Sequence, residues 1–263
     1  MDLQLKNKVA LITGATGGIG LEIAKLLAAE GVQVIVPGRN SERLVAATSF
    51  IGSPAGIGAR IIETDVATAD GAAFVAREVP EVDILINNLG IYEMKQFVDI
   101  TDAEWLRYFE INVLGGIRLS RSYLPGMLQR NWGRIIFISS ESGLMTPSVM
   151  AHYGMTKTAQ LAISRGLANE TKGTAVTVNT VLPGPTRSVA SEGFLRSIST
   201  KPEASLADVE AEFFATHRSM SLLQRLILPD EIASLVVYLS SPLSSAINGA
   251  ALRADGGVVP TIA

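Results

Sequence analysis

Tyr153 and Lys157, in the run Tyr-Gly-Met-Thr-Lys, stand four residues apart, so on a helix they project from one face a turn apart. A phenol with its ordinary pKa of about 10 is a poor base near neutrality, but a nearby ammonium group favours the phenolate. Lowering that pKa by about three units takes roughly 4 kcal/mol, which two cations in a partly desolvated pocket can supply. Ser140 ends the apolar run in GRIIFISSESG, thirteen residues before Tyr153. Ser139 is its immediate rival. A Tyr-x-x-x-Lys pair by itself is an ordinary surface pair, so the elements around it decide what it means.

Short Val- and Ile-rich runs alternate with segments of helical period, the pattern of βαβ units feeding a parallel sheet. Seven strands are expected, at residues 9–13, 32–36, 60–64, 84–87, 134–139, 175–181 and 250–253. The first helix should start near Gly18, with Ile19, Ile23, Leu26 and Leu27 on one face and Gly31 as its stop. A second such pattern covers Ile232, Leu235, Val236 and Leu239 behind Pro229. Residues 187–228 are too long for an ordinary connection and form a candidate lid, partly helical behind an N-cap at Ser205, with Asp208 three residues on and Leu206, Val209 and Phe213 sharing a face.

Directly after the first strand comes TGATGGIG, residues 13–20. Gly14, Gly18 and Gly20 permit a tight turn and close approach of a pyrophosphate, and the following helix aims its N-terminal dipole at that charge. Past the second strand, where a carboxylate would accept hydrogen bonds from the ribose 2′-hydroxyl of NAD, the chain has Gly38 and Arg39. An arginine fork suits a 2′-phosphate, so NADP(H) is favoured over NAD(H); the alternative is that Arg39 is a solvated loop charge.

The 263 residues, 48% of them hydrophobic, suffice for one α/β domain spanning 1–263 with a large core. A net charge of -3 with no Lys/Arg block gives no electrostatic footprint for nucleic acid or anionic lipid. The chain lacks cysteine, which excludes disulfides and thiolate nucleophiles, and its two histidines, His152 and His217, are too few for a histidine-rich metal site. Residues 1–8 lack a signal-peptide core and no 18-residue apolar stretch occurs, so the expectation is a soluble cytoplasmic protein.

TGATGGIG, NNLG at 87–90, Asn112 in INVLGG, Ser140, Tyr153, Lys157 and PGPT at 183–186 together resemble the short-chain dehydrogenase/reductase family in order and spacing, from about Lys8 to Gly257. The resemblance implies a Rossmann-type, doubly wound, seven-stranded parallel sheet with helices on both faces. It also implies hydride transfer between a nicotinamide and a carbonyl or secondary alcohol, with Tyr153 as acid/base and Ser140, chosen over Ser139 by the spacing, orienting the substrate oxygen. Lys157 would lower the Tyr153 pKa and hold the nicotinamide ribose, and Asn112 would position a water linking Lys157 to solvent. The implied cofactor contacts are Gly14, Thr16, Gly17, Gly18, Ile19 and Gly20 in the loop, Arg39 and Asn40, Asp65 and Val66 around the adenine, Asn87 and Gly90 beside the adenosine ribose, Tyr153 and Lys157, and Pro183, Gly184 and Thr186, the last reaching the carboxamide. Leu89 departs from the family's common alanine and would crowd neighbouring backbone. The turn at 254–257 resembles one that packs at a subunit interface, which implies a homotetramer.

Other residues have plainer readings. His152 is expected at the surface or an interface, His217 on the lid surface, and Trp105 and Trp132 as packing around the crossover helix. Phe194, Leu195, Phe213 and Phe214 fit an apolar wall over a bulky substrate and ordinary lid packing equally well. A non-catalytic nucleotide sensor on the same fold, or an enzyme using Tyr153 for elimination or dehalogenation, are the rival functions.

Overall fold

The computed structural model describes residues 1–52 and 58–262. Alternation within the strands sets the layers. In β1 (Val9–Ile12), Ala10 and Ile12 join one buried cluster while Leu11 joins another on the opposite face. The same division runs through β2 (Gln33–Gly38), β4 (Ile84–Asn87) and β5 (Gly133–Ile138), where Val34, Ile84, Ile86 and Ile136 face one way and Ile35, Leu85, Ile135 and Phe137 the other. With β3 (Arg60–Glu63), β6 (Val176–Pro183) and β7 (Ala251–Ala254) they form one parallel sheet in the order β3-β2-β1-β4-β5-β6-β7.

All seven expected strands are present, with ends shifted by a residue or two. β2 runs on to Gly38 because that residue pairs with Glu63, and β6 to Pro183 because Leu182 and Pro183 pair with Arg253 and Ala254. Helices α1 (Gly18–Ala29), α2 (Ser41–Ile51) and α9 (Pro229–Ser240) cover the first face, and α3 (Ala69–Glu78), α5 (Gly115–Gln129) and α6 (Ala151–Glu170) the second. Gly31, at φ +79°, ends the α1 segment as expected of a left-handed cap.

Two features shape the site. The crossover between β4 and β5 is α4 (Asp102–Phe109), a five-residue π turn (Glu110–Leu114) and α5, so Asn112 sits where the helical ladder loosens. Residues 187–228 carry α7 (Val189–Ile198), capped by Ser188, and α8 (Leu206–Thr216), capped by Ser205. Leu195, Val209, Phe213, Phe214 and Leu226 bind these two helices into a small cluster of their own. Sequence order reverses between β1 and β4, and an open α/β sheet carries its ligand cleft at the strands' carboxyl ends beside such a switch.

Candidate active site

The carboxyl ends of β1, β4, β5 and β6 surround a cleft of about 360 Å³ that Ser140, Tyr153 and Lys157 all line. Ser140 leaves β5 in extended conformation and lines the cleft with Tyr153; its Oγ donates to Glu141 Oε2 at 2.5 Å and accepts from Ser142 N at 3.1 Å. Ser139, its rival, is turned away: its Oγ donates to the Lys157 carbonyl at 2.8 Å. The Lys157 ammonium lies 5.5 Å from the Tyr153 ring centroid and donates to Ile138 O at 2.9 Å. Burial brings that amine down to about 8, with Glu141 opposing. Tyr153 moves against expectation. Desolvation first and the Glu141 charge second raise its pKa, so the phenol stays protonated.

Asn112 does not line the cleft; it closes a small recess behind it. Its side chain is fully engaged, accepting from Ile91 N at 2.8 Å and donating to Ile91 O and Thr156 Oγ1, each at 3.0 Å. Its carbonyl accepts from Gln160 Nε2 at 2.7 Å, and Gln160 Oε1 accepts from Lys157 Nζ at 3.3 Å. A glutamine side chain therefore links Asn112 to Lys157, a role no local pattern announced beyond its i+3 spacing from the lysine. His152 corrects another expectation: it is 1% exposed, with Tyr108 at 4.0 Å and Trp105 at 6.1 Å between ring centroids, because α4 packs over the start of α6. Burial lowers its pKa. His217 is exposed, and Trp105 and Trp132 are packing residues, the latter stacked by Lys8 and Arg134.

The other half of the cleft fits a dinucleotide. Side chains of Asn40, Thr68, Thr101, Ser188 and Ser205 cap α2, α3, α4, α7 and α8, but α1 has Gly17 at its N-cap position, with no side-chain cap and no acidic residue in its first turn. Its first N–H groups, beside Gly14, Gly17, Gly18 and Ile19 in the cleft wall, make a site for an anion. Gly14 and Gly18 hold positive φ. Gly20 packs rather than lines: a Cβ there would fall 2.5 Å from Asn88 Nδ2 and from Gly14 O. Asn88, within the NNLG segment, donates to Thr13 O and Gly14 O and so fixes this turn, whereas Asn87 points inward to Ser120. Leu89 is accommodated, its N–H on Thr13 Oγ1 at 2.9 Å.

A side groove of about 120 Å³ continues past Gly14 between Thr16, Arg39, Asn40, Asp65 and Val66. Arg43, four residues from Arg39, also lines it and adds a second cation. Arg39 is held only loosely by Asp65 at 3.7 Å, and Asn40 Oδ1 is spent accepting from Arg43 N. Gly90, Pro183, Gly184 and Thr186 also line the main cleft, and the Thr186 hydroxyl donates to Gly184 O. Phe194, Leu195 and Phe213 line the cleft as well as packing between α7 and α8, while Phe214 packs without lining it. Tyr92 meets the Tyr153 ring edge-on at 6.1 Å. Glu141 and Arg218 complete the wall and were not read from the sequence.

Residues 8–196 match the short chain dehydrogenase family model. Over the full length of both chains the protein is 47% identical to the uncharacterized oxidoreductase YvaG of Bacillus subtilis. It is 31% identical to the 3-oxoacyl-[acyl-carrier-protein] reductase FabG of Aquifex aeolicus, covering 98% of this chain and 100% of that one. L-sorbose reductase from Gluconobacter frateurii, solved with NADPH and L-sorbose, superposes with a TM-score of 0.90 at 29% identity, covering both chains completely. No helix among the described residues is long and apolar enough to cross a membrane.

Proposed function

The chain belongs to the short-chain dehydrogenase family, and from that premise we propose that it transfers hydride between NADP(H) and a carbonyl or secondary alcohol, with Tyr153 as general acid/base. The observation that carries this is the meeting of Ser140, Tyr153 and Lys157 in the cleft that also holds the uncapped α1 terminus. When bound, the dinucleotide supplies or accepts the hydride. Burial and Glu141 keep Tyr153 a neutral phenol, the form that reduction needs in order to donate a proton to the substrate oxygen. Ser140 would hydrogen-bond the same oxygen, and Lys157, fixed by Ile138 and Gln160, would hold the nicotinamide ribose. Arg39 and Arg43 favour a 2′-phosphate, and no carboxylate stands at the end of β2 to repel one.

Within this reading residues 187–228 act as the substrate lid of one catalytic domain spanning 1–263, and the turn at 254–257 serves a homotetramer interface. The deciding experiment follows absorbance at 340 nm with NADPH and then NADH over a panel of ketones, aldehydes and β-keto esters. Turnover with a preference for NADPH is expected, and Tyr153→Phe should remove it. Tight NADPH binding with no turnover on any member would favour a nucleotide sensor instead.

A further inference from the structure

Glu141 is a costly residue for this site. It is 5% exposed, lines the cleft beside the reacting groups and raises the Tyr153 pKa, and its negative charge opposes any oxygen that gains charge during the reaction. Its carboxylate has two partners: Ser140 Oγ donates to Oε2 at 2.5 Å, and Arg218 Nη2 reaches Oε1 at 3.4 Å. Ser140 has a single hydroxyl proton. While Glu141 holds it, Ser140 cannot polarise a substrate oxygen; once it turns to the substrate, Oε2 is left a buried anion short of a donor. Among the described residues no other group donates to Oε2. A substrate that carries a hydroxyl next to its carbonyl makes good the loss, with the carbonyl oxygen on Ser140 and Tyr153 and the hydroxyl on Glu141.

We propose that Glu141 is a specificity-determining residue that selects carbonyl compounds bearing a hydroxyl on the adjacent carbon, with vicinal diols as substrates of the reverse reaction. Arg218 holds the carboxylate in place for that contact. The charges on the cleft wall argue for a neutral substrate of this kind: Arg218 is matched by Glu141 and Arg187 by Glu210 at 2.7 Å, and a carboxylate on the substrate's adjacent carbon would face the Glu141 charge. The Nε–H groups of Arg187 and Arg218 are buried without an acceptor and offer donors for further oxygens along a polyhydroxy chain.

The inference rests on the hydride-transfer reading, and its test separates the two. Three ethyl ketones differing only beside the carbonyl are compared by kcat/KM with NADPH: 1-hydroxy-2-butanone, its methyl-for-hydroxyl analogue 3-pentanone, and 2-oxobutanoate. The wild type should favour the hydroxy ketone over 3-pentanone by about 10- to 100-fold, the worth of one hydrogen bond to a charged group. That ratio should collapse toward one in Glu141→Ala and take an intermediate value in Glu141→Gln, which keeps the shape and an acceptor oxygen without the charge. Because the ratio is read within each protein, a general loss of activity cancels, and Glu141→Gln serves if the alanine variant does not fold. Equal wild-type efficiencies, a ratio unmoved by either substitution, or preference for 2-oxobutanoate would overturn the specificity role alone. No turnover of the three ethyl ketones while another member of the carbonyl panel is reduced overturns the specificity role alone; no turnover on any panel member overturns the hydride-transfer reading and this inference with it.

Discussion

Arg39 and Arg43 bear whatever cofactor preference the side groove can express, and they do so unequally. Arg39 is 73% exposed in its side chain and loosely paired, so solvent screens its contribution and Arg39→Ala alone should change the NADPH-to-NADH efficiency ratio modestly. Removing both guanidiniums should lower that ratio about 10- to 100-fold, read as kcat/KM for each cofactor, and an unaltered ratio would leave the groove without a 2′-phosphate role. Lys157 offers a second measurement. Its folded-state pKa of about 8 lies below the ordinary lysine value of about 10.5, so folding opposes its protonation. The cost, about 3 kcal/mol, is present in full below pH 8 and is relieved as pH rises from 8 toward 10.5, where the unfolded chain binds the proton that the folded one has lost. Cofactor-free Lys157→Met should therefore melt above the wild type at pH 7, less the hydrogen bonds to Ile138 and Gln160, and the gap should narrow by pH 10.

Helix α6 is the element that turns sequence spacing into a site, and it tolerates change very unevenly. Gly154, next to Tyr153, faces Thr146: a Cβ there would lie 2.3 Å from Thr146 Cγ2 and 2.5 Å from its Oγ1, which is tied to Ser142 O. Gly154→Ala must push α6 away from the segment that carries Ser140, costing about 1–3 kcal/mol and lowering kcat more than it weakens cofactor binding. Gly166, exposed on the same helix with nothing near a new Cβ, should give the opposite result, a gain of up to about 1 kcal/mol on substitution by alanine with kinetics unchanged. A thermal melt of both variants checks the contrast. The same helix shows what was legible beforehand. Tyr153 and Lys157 share a face by helical period alone, and the glycine turn, the seven strands and the Ser205 cap follow from equally local rules. His152 was misread because its burial depends on Trp105 and Tyr108 from α4, an element whose docking no period of α6 encodes. The π turn around Asn112 is held by bonds to Ile91 and Thr156, and Glu141 meets Arg218 across 77 residues of chain; contacts of that range exist only after the fold has closed.

Across the whole molecule the proposed reading uses the carboxyl ends of one parallel sheet twice, with the dinucleotide on the β1 side of the switch point and Ser140, Tyr153 and Lys157 on the β5 side. Binding and chemistry can thus be separated. A ligand that binds only the folded chain adds about 2.7 kcal/mol at a hundred times its dissociation constant, which in a chain of 263 residues corresponds to roughly 5–10 °C in Tm. On the proposed reading NADPH should give a shift of that order and NADH at the same concentration a smaller one, because a 2′-phosphate would pair with Arg39 and Arg43, which line the groove. In Tyr153→Phe the shift should survive while turnover disappears, since the uncapped α1 terminus and the arginines are untouched and only the proton donor is gone. A shift lost together with activity would place Tyr153 in the architecture of the binding edge and count against its role as the acid/base.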